Sequence, residues 1–87
     1  MTVISEIIGL QLRLARIEKR KSITWVAKKL GVAKNTISYL ELGKKKNVSV
    51  EDIINYCEAI EYNWAELFRR IEADYDKIRE THSEDKK

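Results

Sequence analysis

Apolar residues recur every three or four positions along almost the whole chain, and no run alternates with a period of two. That spacing predicts helices and no sheet. The 87 residues include no proline and three glycines, so the joints between helices should be short. Five segments stand out. The first covers about residues 4–20. The second opens at Ser22, a side chain suited to capping a helix start, and runs to Leu30. The third covers about residues 34–42 and stops at Gly43, where a left-handed residue can close a helix. The fourth opens with "SVED", in which Ser49 can cap and Asp52 can reach back to it. The fifth opens with "NWAE", where Asn63 and Glu66 repeat that arrangement, and continues to about Glu80. The reading is a single all-α domain over residues 1–80, followed by a polar tail, residues 81–87, expected to fray.

The middle of the pattern, residues 23–42, has the form of two short helices joined by one glycine. A steep crossing needs a small residue at the contact and a permissive backbone at the joint, which Ala27 and Gly31 supply. Val26, Leu30, Val32, Ile37 and Leu40 then fall where both helices can face one core. This is the arrangement of a helix-turn-helix. An ordinary helical hairpin would share the apolar pattern but has no need of the rest.

Charge changes the picture. Residues 1–12, 13–46 and 47–87 carry −1, +9 and −5, which together make the chain's +3. A basic half joined to an acidic half suggests a face built to meet a polyanion. Within the basic half, turning Ile37 and Leu40 inward sends Lys34, Asn35, Ser38 and Tyr39 outward. Lys34 can donate to guanine O6 and N7, and Asn35 can pair bidentately with adenine. Tyr39, one turn past Asn35, can reach a base, a thymine methyl or the backbone. Thr36 and Ser38 suit phosphate or water-mediated contact. Ser22, with the free amides at the start of the second helix, makes a small anion site. Lys44, Lys45 and Lys46 could line the adjoining strand.

The stretch "VAKKLGVAKNTISYLELGK", followed by "NVSVEDIINYCEAIEYNWAELF", resembles the lambda-repressor-like (Cro and Xre type) DNA-binding domains over about residues 8–68. Within them the C-terminal part looks like the small controller proteins of restriction–modification systems. The resemblance implies a five-helix lambda-repressor-like fold, here with extended N- and C-terminal helices, and a dimer on a palindromic operator in double-stranded DNA. It puts the base-reading positions at Ala33, Lys34, Asn35 and Tyr39, and an orienting salt bridge at Arg16 and Glu41. Three departures stand out. Ile23 occupies the place of a phosphate-binding glutamine, leaving Thr24 as its substitute. Trp25 stands where a polar residue is common, and is expected to pack on the first helix. Ala33 replaces a capping serine or threonine at a cost of about 1 kcal/mol. Lys34 opposes the helix dipole by a few tenths of a kcal/mol. Neither helps folding, and both make sense against DNA.

A dimer needs a second surface. Trp64, Phe68, Ile71, Tyr75 and Ile78 follow a 4, 3, 4, 3 spacing that forms a heptad seam. The first helix carries Val3, Ile7, Leu10, Leu14 and Ile17 at the same spacing, beside a second stripe of Ile4, Ile8, Leu12 and Ala15. Either the seams cover one another within a chain, or the excess meets a second copy through the fifth helix, the first, or both. Rival readings are an antitoxin whose long last helix covers a toxin, and a sequence-independent nucleic-acid binder. No apolar run approaches the roughly 20 residues that span a bilayer. "MTVISEIIGL" lacks the form of a secretion signal, and the lone Cys57 forms no internal disulfide, so the expected compartment is the cytoplasm. His82, the single histidine, lies in the tail, and no nucleophile has a partner. The expectation is a non-enzyme without metal, cofactor or small-molecule ligand, with RNA polymerase as a possible further contact.

Overall fold

The computed structural model describes the backbone of residues 3–85 and the side chains of residues 3–78. Five helices follow one another: α1 (Val3–Glu18), α2 (Ile23–Leu30), α3 (Lys34–Glu41), α4 (Val50–Ala59) and α5 (Trp64–Asp85). No strand occurs among the described residues. The caps lie where the side-chain chemistry puts them. The Ser22 hydroxyl accepts from the Trp25 amide at 3.0 Å. Ser49 and Asp52 bond each other's backbone amides as a capping box. Asn63 accepts from the amides of Ala65 and Glu66. Glu66 does not return that bond but pairs with Arg69 at 2.9 Å.

The α2–α3 joint turns on Gly31, whose φ of 70° lies in the left-handed region. The Val32 amide bonds back to the Ala27 carbonyl at 3.0 Å, which closes α2 and aims the chain into α3. A Cβ at Gly31 would touch nothing within 4 Å, so the glycine answers to backbone conformation and not to space. Val32 differs from expectation. Just past that left-handed turn, helical spacing no longer governs its direction, and it is 40 % exposed. The end of α1 differs too. Arg20 takes a left-handed φ of 58°, and the helix stops at Glu18 where the pattern predicts about residue 20.

The core gathers Leu12 and Ala15 from α1, Val26 and Ala27 from α2, and Ile37 and Leu40 from α3. Ile53, Tyr56 and Cys57 join from α4, and Leu67 and Ile71 from α5. Burial pushes the Cys57 thiol up to about 11, so it behaves as a small apolar side chain. α1 and α5 run antiparallel. Gln11 donates to Asp74 at 2.6 Å, and Arg70 lies 3.5 Å from Glu18.

Gly9 sets how closely α1 approaches the end of α3. A Cβ there would lie 2.5 Å from the carbonyl oxygens of both Leu40 and Glu41. Those are backbone atoms and cannot swing aside. Gly9→Ala gains about 1 kcal/mol of helix propensity, and the overlap outweighs it by about 1–2 kcal/mol. Thermal unfolding of G9A is therefore expected about 4–15 °C below the parent. An unchanged or raised midpoint would contradict this packing.

Candidate nucleic-acid interface

The site is built on α3. Its start has no side-chain cap at Ala33, and no acid occurs in its first turn. Its free amides and positive dipole end are left uncompensated beside Lys34. Ile37 and Leu40 are buried and hold one side of this short helix against the core. The opposite edge presents Ala33, Lys34, Asn35, Thr36 and Tyr39 to solvent, with Ser38 partly covered. Tyr39 is 57 % exposed, and the Lys44 ammonium lies 5.8 Å from its ring centroid. Asn35, Thr36, Tyr39 and Lys45 line an open hollow of about 430 Å³ beside the helix. Such a rim of donors and acceptors on a protruding helix matches what base edges in a major groove require.

What fixes the angle of α3 lies at its other end. Arg16 of α1 grips the Glu41 carboxylate with two bonds, Nε to Oε2 at 2.7 Å and Nη2 to Oε1 at 3.0 Å. Its Nη1 donates to the Lys21 carbonyl at 2.9 Å, so three of its five N–H donors are taken within the chain. Both side chains are nearly buried, at 11 % and 3 % exposure. The Tyr56 hydroxyl of α4 donates to the same Glu41 oxygen Oε2. Burial, and then this bond to the carboxylate, hold the hydroxyl far above its ordinary value, so it remains a donor. The hydrogen bonds that Arg16 donates to Glu41 likewise hold its guanidinium above its ordinary value. One carboxylate thus ties the end of α3 to α1 and α4 together. Sequence reading missed Tyr56. Its place on the apolar side of α4 was the available signal, because a buried tyrosine hydroxyl needs a partner.

The basic flank is less uniform than its sequence suggests. Lys45 forms an ion pair with Asp52 at 2.8 Å, whereas no carboxylate bonds Lys44 or Lys46 among the described residues. The Lys45 bond, more than any other cause, holds the Asp52 carboxyl below its usual range. Thr24 is exposed next to the capped Ser22. Trp25 does not pack on α1, because α2 lies against α3 and α4. Its indole sits at the surface with Lys21 at 4.4 Å and Lys29 at 5.9 Å from the ring centroid, as cation–π neighbours.

The expected seam on α5 is divided. Ile71 is buried in the chain's own core, and Phe68 and Ile78 pack partly against it. Trp64 and Tyr75 are exposed, with the Trp64 ring edge-on to Phe68 at 6.0 Å. No group of acidic, cysteine or histidine side chains among the described residues could hold a metal ion. No helix among them is long and apolar enough to cross a membrane.

A short, steeply joined helix pair with one polar edge thrust outward is a helix-turn-helix DNA-binding unit. A family model described as "Helix-turn-helix domain" matches residues 7–67, and the chain belongs to that family, in its lambda-repressor-like form. Among solved structures, the chain is similar to the clp gene regulator ClgR from C. glutamicum. The two share 26 % identity over 85 % of this chain and 95 % of that one, with a TM-score of 0.77. It is also similar to the restriction–modification controller protein C.AhdI from Aeromonas hydrophila, at 27 % identity over 71 % and 92 % of the two chains and a TM-score of 0.63. The restriction–modification controller protein C.Esp1396I shares the fold, with 15 % identity over 86 % and 95 % and a TM-score of 0.76. A search of curated protein sequences returns no match.

Proposed function

We propose that the chain is a dimeric, sequence-specific transcriptional regulator that reads a palindromic operator in the major groove through α3. The observation that carries this is the start of α3, uncapped and free of acid, with Lys34, Asn35 and Tyr39 exposed along one edge. Lys34 and Asn35 read purine edges, Ala33 meets a thymine methyl, and Tyr39 closes the contact one turn on. Ser22, Thr24, Thr36, Ser38, Lys44, Lys45 and Lys46 hold phosphates on either side, which fixes position without reading sequence. Two copies place two such helices on half-sites about one helical turn apart. The described roles of ClgR and C.AhdI as a gene regulator and a restriction–modification controller support regulation of transcription as the task. It would act in the cytoplasm, repressing by occluding polymerase or activating through contact with it.

A salt titration on a site selected from random DNA, with unrelated DNA alongside, tests this reading. The expected result is a preference of about a thousandfold or more for the selected site. Equal affinity for both, falling steeply together as salt rises, would reduce the protein to a sequence-independent binder. In the same titration Lys45→Ala should weaken both DNAs alike. It should flatten the salt slope by less than the roughly 0.9 of one phosphate contact, because Asp52 already holds Lys45 in the free protein.

A further inference from the structure

Twelve large apolar side chains are exposed among the described residues, and five of them lie on α1. Four of these, Val3, Leu10, Leu14 and Ile17, share one face at helical spacing, each 42–49 % exposed. An uncovered stripe of this kind marks an interaction surface more often than an accident of composition. On α5, by contrast, Ile71 is committed to the core, and the exposed Trp64 and Tyr75 stand about three turns apart. The longer uncovered run is therefore on α1, where Leu10, Leu14 and Ile17 follow one another and Val3 stands two turns before Leu10, with Ile7 between them buried in the core.

We infer that α1 pairs antiparallel with α1 of a second copy of this chain, about a twofold axis at Leu10. This rests on the homodimer part of the proposed function and not on the DNA contact. Val3, Leu10 and Ile17 are self-complementary about Leu10, which points to a second copy as the occupant. Val3 and Ile17 lie seven residues to either side of Leu10, so antiparallel pairing sets Leu10 against Leu10 and each Val3 against Ile17 of the other copy. The flank is complementary in charge. Glu6 stands four residues before Leu10 and Arg13 three after it, both exposed along the same border of the stripe. Twofold rotation brings Glu6 of each copy beside Arg13 of the other, within reach of these long side chains. A parallel pairing would instead put the two Glu6–Arg13 borders on opposite sides of the interface, where neither could reach the other. Neither residue has an ion-pair partner within the chain among the described residues. The surface is small for an interface, so the pair should be concentration-dependent in the free protein and strengthened by a shared operator.

Sedimentation velocity over a concentration series tests the pairing, with circular dichroism to confirm that each variant is folded. Leu10→Glu should raise the dimer dissociation constant at least about tenfold. Glu6→Arg and Arg13→Glu should each weaken the dimer, and the double reversal E6R/R13E should restore it. Rescue supports the antiparallel register, and loss without rescue overturns it. A dimer insensitive to Leu10→Glu but broken by Trp64→Glu would move the interface to α5 and overturn the proposal. A chain that stays monomeric throughout, yet still prefers one DNA site, also overturns it while leaving the reading of DNA by α3 standing.

Discussion

Glu41→Ala is expected to lower stability by about 3–5 kcal/mol, the range seen when one partner of a buried ion pair is removed. The loss comes from what stays behind. Arg16 would keep its charge at 11 % exposure without the carboxylate that neutralises it, and the buried Tyr56 hydroxyl would lose its acceptor. A domain of this size has roughly 5–15 kcal/mol in total, so the variant should be partly unfolded at modest temperature. Urea denaturation with an unchanged slope is the check. Glu41→Gln keeps the shape and an acceptor for Tyr56 but not the charge, and should fall between the two. Arg69→Ala removes an exposed pair with Glu66 that water already screens, and should leave stability nearly unchanged. If Glu41→Ala cost no more than that, the buried clamp would not be what orients α3.

Asn35→Ala is expected to lose about 1–3 kcal/mol of binding at one base-pair position of each half-site, and to become indifferent to the base there. The side chain is exposed on the outer edge of α3, away from the core made by Ile37 and Leu40, so folding should be unaffected. A panel of sites altered one base pair at a time measures this directly. Lys44→Ala, at a position proposed to hold phosphate, should weaken every site in the panel by a similar factor. Should the Asn35 and Lys44 variants give parallel profiles, the division between reading and positioning residues would fail.

The parts of this fold that could be read in advance are those governed by local chemistry. Ser22 and Ser49 cap because their hydroxyls reach an amide three residues on, and Gly31 turns because little else tolerates its backbone angle. Inward positions followed helical spacing as long as the chain was helical, which is why Ile37 and Leu40 were foreseeable and Val32, in the turn, was not. Trp25 was expected against the first helix, and it lies instead at the surface. A tryptophan can equally lie at the surface beneath lysine side chains. Gly9 and Tyr56 went unnoticed because their reasons lie across the fold. Gly9 matters only where α1 meets the carbonyls of Leu40 and Glu41, and Tyr56 only because a carboxylate fifteen residues earlier in the chain comes to meet it. The edge of α3 was visible for the opposite reason. Lys34 after an uncapped Ala33 is a locally poor choice, and such choices point to a demand from outside the fold.

The most direct test of α3 as a major-groove reader uses the selected site rebuilt with 7-deazapurines, which lack the N7 acceptor of that groove. Affinity should fall about tenfold or more at purines facing Lys34 or Asn35. Replacing guanine by inosine, which alters only the minor-groove edge, should leave affinity nearly unchanged. Full affinity for the deaza site, or a loss confined to the inosine site, would mean that the protein does not read DNA through this helix.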